Sequence, residues 1–82
     1  MASFLVNETF RIEADADVRF LSPGAVYRAG DTITGLIAAE ARELLSFAPE
    51  GALTAGDEEA EVVVNHFIAT GGNVGAAGKG EV

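Results

Sequence analysis

The chain is short and poor in large apolar side chains, and both properties limit what it can be. Its 82 residues are enough for one compact unit plus an arm or tail, which excludes a multidomain enzyme. Fifteen of the apolar residues are Ala and none is Cys, so the core is small and no disulfide supports it. We therefore expect a marginal domain that is completed by oligomerisation or by docking on a partner.

The charge balance excludes two classes of partner. Thirteen acidic residues against five basic ones give a net charge of −8, which repels nucleic acids and anionic lipids. The sequence after Met1 has no basic leader, and no apolar run approaches the roughly 18 to 20 residues that span a bilayer. We expect a protein made in the cytoplasm that binds neither nucleic acid nor membrane.

The composition divides the chain into three parts. Residues 1–17 are expected to form an N-terminal arm or an edge strand, residues 18–70 a small globular domain, and residues 71–82 a Gly-rich tail. Within the first part, the segment from Phe4 to Ile12 is a candidate strand. Its apolar residues share one parity except for Leu5, which lies on the other.

The middle of the chain has the pattern of a β-meander. Residues 18–21 alternate as a strand does, Ser22-Pro23-Gly24 supplies a turn, and residues 25–28 resume with β-branched and aromatic side chains. A second turn at Ala29-Gly30-Asp31 leads into a short third strand at Thr32-Ile33. These elements predict consecutive antiparallel strands.

A helix is predicted over residues 35–47, because apolar residues recur there at helical spacing. Thr34 can cap its start. Pro49 follows its end, where it would prevent continuation. A short strand is expected at 51–54.

The segment 58–69 is compatible with either a helix or a strand. Asp57 is a suitable N-cap, the acidic residues that follow favour a first helical turn, and Gly71-Gly72 would end the helix. The run Val62-Val63-Val64 suits a strand instead. We prefer the helix, in which one stripe would be apolar: Ala60, Val63, Val64, Phe67 and Ile68.

Two groups of acidic residues are candidate metal sites. In an extended chain, Glu13, Asp15 and Asp17 would share one face, but a calcium loop beginning at Glu13 needs Gly at position 18 and Glu at position 24. Val18 and Gly24 stand there, so a solvated surface is favoured. The second group, at 57–61, is explained by the start of a helix.

No catalytic constellation is recognisable either. His66 is the only histidine, and it has no Cys or suitably spaced carboxylate with which to bind zinc. The segment 72–80 resembles a phosphate-binding loop, but Asn73 replaces its first Gly and Gly80 replaces its Ser or Thr. The sequence thus predicts no catalytic, cofactor-binding or metal-binding residue, no cofactor and no enzymatic activity.

Residues 18–54 contain a strand, an aromatic-x-x-Gly-Asp turn and a short helix. The stretches concerned are Phe20-Leu21, 24–33, Leu36, 41–45 and 51–53. This pattern resembles small proteins encoded among the structural genes of tailed bacteriophages. The resemblance implies an α+β fold, a small SH3-like β-barrel or meander with one or two short helices, in which a helix plugs one end of the barrel. The chain departs from the pattern in an insertion at 48–50 and in everything after Ala55.

The resemblance and the spare termini suggest a virion structural protein. The leading hypothesis is a minor capsid or decoration subunit that binds the major capsid protein or other virion proteins and forms a homo-oligomer. A related possibility is a protein that joins the phage head to its tail, because that role also needs only protein–protein contact. The alternative is an acidic adaptor or inhibitor module that binds a basic protein surface.

Overall fold

The computed structural model describes residues 1–71, which form five strands and two helices. In chain order these are β1 (Ala2–Val6), β2 (Phe10–Arg11), β3 (Val26–Tyr27), β4 (Thr32–Leu36), α1 (Ala38–Phe47), β5 (Leu53–Ala55) and α2 (Glu58–Ala69). Apart from Gly71, the predicted Gly-rich tail lies outside the described residues.

The N-terminal segment forms the centre of the fold. β1 is the middle strand of an antiparallel sheet with the order β4-β1-β5. The expectation of an arm or an edge strand at 1–17 was therefore wrong. The physical reason is burial: Phe4, Val6, Phe10 and Ile12 all lie in the core, whereas Leu5 faces the other side of the sheet, as its parity predicts.

A second, two-stranded sheet pairs β2 with β3. Phe10 lies opposite Tyr27, and their rings stack with centroids 5.2 Å apart. The predicted turn at 22–24 is present, and Gly24 has a φ of 80°. The strand predicted at 18–21 is not formed. The backbone N–H groups of residues 19–21 donate to the side chain of Glu43 instead of to a neighbouring strand.

β4 is longer than predicted and delays the start of α1. Thr34 lies within the strand, so the prediction that it caps the helix was wrong. A bulge lies between the β4 residues that pair with Phe4 and Ala2, and Gly35 within it has a φ of 74°, which a residue with a side chain adopts at a cost. The helix begins at Ala38, and Glu40 accepts the backbone N–H of Ile37 at 2.9 Å. Pro49 follows the end of the helix, as predicted.

The segment left open between helix and strand is helical. Asp57 caps α2 by accepting the backbone N–H of Ala60 at 2.8 Å. The helix packs against α1, β1 and β5, and Ala60, Val63 and Val64 are buried in that contact. Burial of this stripe overrides the weak helix propensity of the three consecutive valines.

The architecture is α+β, as predicted, but the sheet is open and does not close into a barrel. It is not a simple meander either, since β1 pairs with two strands that are distant in sequence. In residues 1–71 no polar side chain is buried. The core consists of fourteen apolar residues: Ala2, Phe4, Val6, Phe10, Ile12, Leu36, Ala41, Leu44, Leu45, Ala52, Leu53, Ala60, Val63 and Val64.

Candidate functional site

One face of the three-stranded sheet is turned away from the core. Leu5 is paired directly with Thr32 of β4 and with Thr54 of β5, and side chains paired in this way point to the same side of a sheet. Leu5 is 42% exposed. By strand alternation the same side carries six residues, which we call the outer sheet face: Ser3, Leu5, Asn7, Thr32, Thr34 and Thr54.

No charged side chain belongs to the outer sheet face, although the whole chain has a net charge of −8. The core side of the sheet holds Phe4, Val6 and Leu53, all fully buried. The exposed side therefore consists of one apolar side chain in the middle of the sheet with hydroxyl and amide groups around it. Such a surface suits contact with another protein better than contact with an ion.

Side-chain hydrogen bonds fix the polar residues at two borders of the outer sheet face. The amide of Asn7 donates to Thr54 Oγ1 at 2.8 Å and to the carbonyl of Gly51 at 3.0 Å, which ties the end of β1 to β5. At the other border, the hydroxyl of Ser3 donates to Asp57 Oδ2 at 2.8 Å. These bonds fix the polar groups beside Leu5 in defined positions.

Asp57 links the sheet to α2. The backbone N–H of Ala60 and the hydroxyl of Ser3 hold the pKa of Asp57 below its ordinary value. Gly56 fits closely beside Ser3, because an added Cβ would lie 3.0 Å from Ser3 Oγ and 3.1 Å from Ser3 O. The hydrogen bond between Ser3 and Asp57 therefore connects β1 to the start of α2.

Ser3 and Asp57 do not form a hydrolytic triad with His66. Asp57 caps the start of α2, whereas His66 lies in its last turn. Nine residues of helix separate their backbones by about 13 Å, so the imidazole cannot bridge the serine and the carboxylate. His66 is also exposed to solvent.

A single carboxylate anchors the irregular segment that precedes β3. Glu43, on α1, accepts the backbone N–H of Arg19 through Oε2 at 2.7 Å, and those of Phe20 and Leu21 through Oε1 at 2.8 and 2.9 Å. Burial opposes ionisation of this carboxyl, but the three N–H donors outweigh it and the pKa of Glu43 lies below its ordinary value. The anchored segment presents Phe20 with 47% of its surface exposed.

The acidic groups considered in the sequence do not converge. Glu13, Asp15 and Asp17 are exposed in the segment after β2. Around the start of α2, Asp57, Glu58 and Glu59 line a shallow concavity, and Asp57 is already used as the cap. Within residues 1–71, no three His, Asp or Glu side chains are grouped so that they could hold a metal ion. Residues 72–80, whose sequence was compared with a phosphate-binding loop, lie outside the described residues.

The residues with the most specific contacts were not found by sequence reasoning. In the sequence, Glu43 is an ordinary residue of the predicted helix, Asn7 lies within the strand predicted from Phe4 to Ile12, and Ser3 precedes that strand. Their partners lie 22 to 54 positions away in the chain. No local signal in the sequence could have identified them.

Comparison of the chain with protein-family models, with curated proteins and with solved structures found no match. Among the helices of residues 1–71, none has the length and apolar character needed to cross a membrane.

Proposed function

We propose that this protein is a non-enzymatic structural subunit that binds another protein through its outer sheet face. The assembly we propose is the capsid shell of a tailed bacteriophage, in which the chain acts as a minor capsid or decoration protein. The observation that carries the proposal is the outer sheet face itself: none of its six residues is charged, Leu5 lies at its centre, and the Asp57 carboxylate adjoins it only at the Ser3 border.

The chemistry of this face fits a protein partner. A single exposed leucine is ordinary on a protein surface, so the proposal depends on the neighbours of Leu5 on this face, which carry hydroxyl and amide groups and no carboxylate. Charged residues are depleted at the centres of protein interfaces, where an apolar anchor is surrounded by polar groups. The threonine hydroxyls can hydrogen-bond to a partner without the desolvation cost of a carboxylate.

The choice of a phage shell rests on the resemblance carried by residues 18–54. The Gly30-Asp31 turn and α1 lie at the positions that the resemblance uses. The open sheet differs from the barrel that the resemblance implies, so the turn and the helix are the parts that support the proposal. Shell docking through an apolar anchor also gives a marginal domain the additional burial that its small core lacks.

The test is binding to purified shells of the phage whose genome encodes the chain. We expect Leu5→Asp to weaken co-sedimentation with shells at least about tenfold, because it places a charge at the centre of the contact. Val62→Asp is the matched control, since Val62 is 66% exposed and belongs to α2 instead of the sheet. Circular dichroism of both variants checks that they fold.

Two outcomes would overturn the proposal. One is the absence of the chain from purified virions by mass spectrometry. The other is a Leu5→Asp variant that binds shells as tightly as the unmodified protein does.

The second candidate function is an acidic module that binds a basic protein surface. It is favoured by the exposed carboxylates of Glu58, Glu59 and Glu61 on the first turns of α2. Binding of this kind weakens sharply as ionic strength rises, whereas docking through Leu5 persists. A salt titration of the binding constant therefore separates the two functions.

A further inference from the structure

β4 is a terminal strand of its sheet, and part of its backbone points away from that sheet. Phe4 pairs with Ile33, and the backbone N–H of Val6 donates to the carbonyl of Asp31. The C=O of Asp31, just before β4, therefore points toward β1, and by alternation so do the N–H and C=O groups of Ile33. By alternation, the N–H and C=O groups of Thr32 and Thr34 point outward. We call this row of groups the β4 edge.

The β4 edge lacks two of the features that usually prevent strand pairing, charged side chains and prolines, and a third, a bulge at Gly35, interrupts only its last part. No charged residue and no proline occurs from 32 to 39, although charges and prolines are common on strands at sheet edges. The opposite edge of the sheet is different: β5 has only three residues, and Asp57-Glu58-Glu59 follows it closely. Of the two edges, β4 is the longer, and its own residues include no carboxylate; the nearest one, Asp31, directly precedes the strand.

We propose that two copies of this chain pair through their β4 edges, antiparallel and around a two-fold axis at Ile33, so that two three-stranded sheets join into one of six strands. This inference goes beyond the proposed shell binding and uses the outward backbone groups of Thr32 and Thr34, whose side chains belong to the outer sheet face. It commits to a second copy as the occupant, because the β4 edge is complementary to itself.

The self-complementarity follows from the register. With the axis at Ile33, Thr32 lies opposite the partner's Thr34 and forms a hydrogen-bonded pair with it, and the symmetric pair forms as well. Asp31 then lies opposite the partner's Gly35, so no carboxylate faces another across the new pair. Asp31 also accepts the backbone N–H of Arg28 in its own turn, at 3.3 Å.

The side chains are compatible with the same register. Thr32 and Thr34 belong to the outer sheet face, and threonines in neighbouring strands form favourable cross-strand pairs. Ile33, on the core side, is only partly buried in the single chain, and in the dimer it is covered by the partner's Ile33. The bulge at Gly35 ends the regular strand and limits the paired segment to about three residues in each copy.

Cysteine cross-linking tests the register directly, because the chain has no cysteine of its own. In a hydrogen-bonded antiparallel pair the Cα atoms are about 5.5 Å apart, which is within the range for a disulfide. Residues at the same position in the two copies are diagonal neighbours, about 7 to 8 Å apart, which is too far.

We therefore expect a mixture of the Thr32→Cys and Thr34→Cys proteins to form a disulfide-linked dimer under mild oxidation. Each variant alone should cross-link at least about tenfold more slowly than the mixture. A mixture of Thr32→Cys with Thr54→Cys serves as the background control, because Thr54 lies on β5, at the opposite edge of the sheet. Equal rates in all samples would overturn the proposed register.

Sedimentation equilibrium of the purified protein, without shells, tests the dimer itself. Thr34→Pro removes an outward N–H that has no role in the sheet, and we expect it to weaken dimerisation at least about tenfold. Thr34→Val keeps that N–H and the shape of the side chain, so it should dimerise normally. Because the net charge of −8 makes the copies repel each other, added salt should strengthen the dimer.

The results also separate this inference from the proposed function. Leu5→Asp should lose shell binding and keep the dimer, since Leu5 is not on the β4 edge. If the wild-type protein is still monomeric at about 1 mM, its dissociation constant is larger than that of a specific dimer. This result would overturn the dimer and would not contradict the proposed shell binding. A dimer that Leu5→Asp dissociates and Thr34→Pro does not would show stacking through the outer sheet face, which also overturns the inference.

Discussion

Glu43 Oε1 accepts the backbone N–H of Phe20 at 2.8 Å, although the two residues are 23 positions apart in the chain. The same carboxylate also accepts the N–H groups of Arg19 and Leu21. One side chain thus replaces the hydrogen bonds that a strand would otherwise provide for this segment, and it sets the position of the exposed Phe20 ring.

Glu43→Ala should release the segment 18–21 while leaving the rest of the fold in place. Without the carboxylate, the three N–H groups have no protein acceptor and become free to exchange with water. Hydrogen exchange should show faster exchange at Arg19, Phe20 and Leu21, with little change at Phe4 in β1. Glu50→Ala is the control, because Glu50 is exposed and lies just beyond the end of α1. Unchanged exchange in Glu43→Ala would mean that the segment is held by its apolar contacts.

Stability should fall as the pH is lowered through the carboxylate range. The pKa values of Glu43 and Asp57 are depressed in the folded protein, so both groups contribute stability above their unfolded pKa values. That contribution is lost as the pH falls from the ordinary values through the folded ones. Urea unfolding at a series of pH values measures the effect, and Glu43→Gln should flatten the acid side of the curve. An identical pH profile for Glu43→Gln would contradict this prediction.

Substitutions at Asp57 should rank by how well they cap α2. Asn can still accept the N–H of Ala60 but carries no charge for the helix dipole, whereas Ala can do neither. We expect the Tm to decrease from the unmodified protein to Asp57→Asn and again to Asp57→Ala, measured by circular dichroism at neutral pH. Ser3→Ala removes only the second partner of the carboxylate and should have a smaller effect than Asp57→Ala. A Tm for Asp57→Ala equal to that of the unmodified protein would show that α2 needs no cap.

Leu44→Ala should be severely destabilising. Leu44 is fully buried on α1, and truncation of a buried leucine costs about 2 to 5 kcal/mol, which is a large part of the stability of a small domain. Val62→Ala, at an exposed position of α2, should change the free energy of unfolding by no more than about 0.5 kcal/mol. Urea denaturation of the two variants gives the comparison. Equal stabilities would mean that α1 does not pack on the core as described.

The helices and turns of this protein could be predicted because their signals are local. Asp57 and the stripe that includes Val63 and Val64 indicate α2 within one short segment, and the glycines at 24 and 30 mark turns that need a positive φ. Apolar residues at helical spacing extend back into β4, so the predicted start of α1 at residue 35 lies three residues before its observed start at Ala38. Only the observed bulge and strand pairing show where the helix begins.

The order of the strands could not be predicted, because it depends on contacts between distant residues. Phe4 pairs with both Ile33 and Ala55, and nothing in residues 1–17 indicates two partners instead of one. The outer sheet face was missed for the same reason: Leu5 belongs to it only once Thr32 and Thr54 are placed on either side. The sequence could therefore suggest a protein-binding module but could not locate the surface that we propose for it.

The central position of β1 also determines when the sheet can assemble during translation. β1 leaves the ribosome before its two partners, which follow about thirty and fifty residues later. Until Ala55 has emerged, the apolar side of β1 has no complete surface on which to pack, and pairing between such distant segments is slow. Folding of this sheet consequently follows the synthesis of β5, and β1 is exposed to chaperones until then.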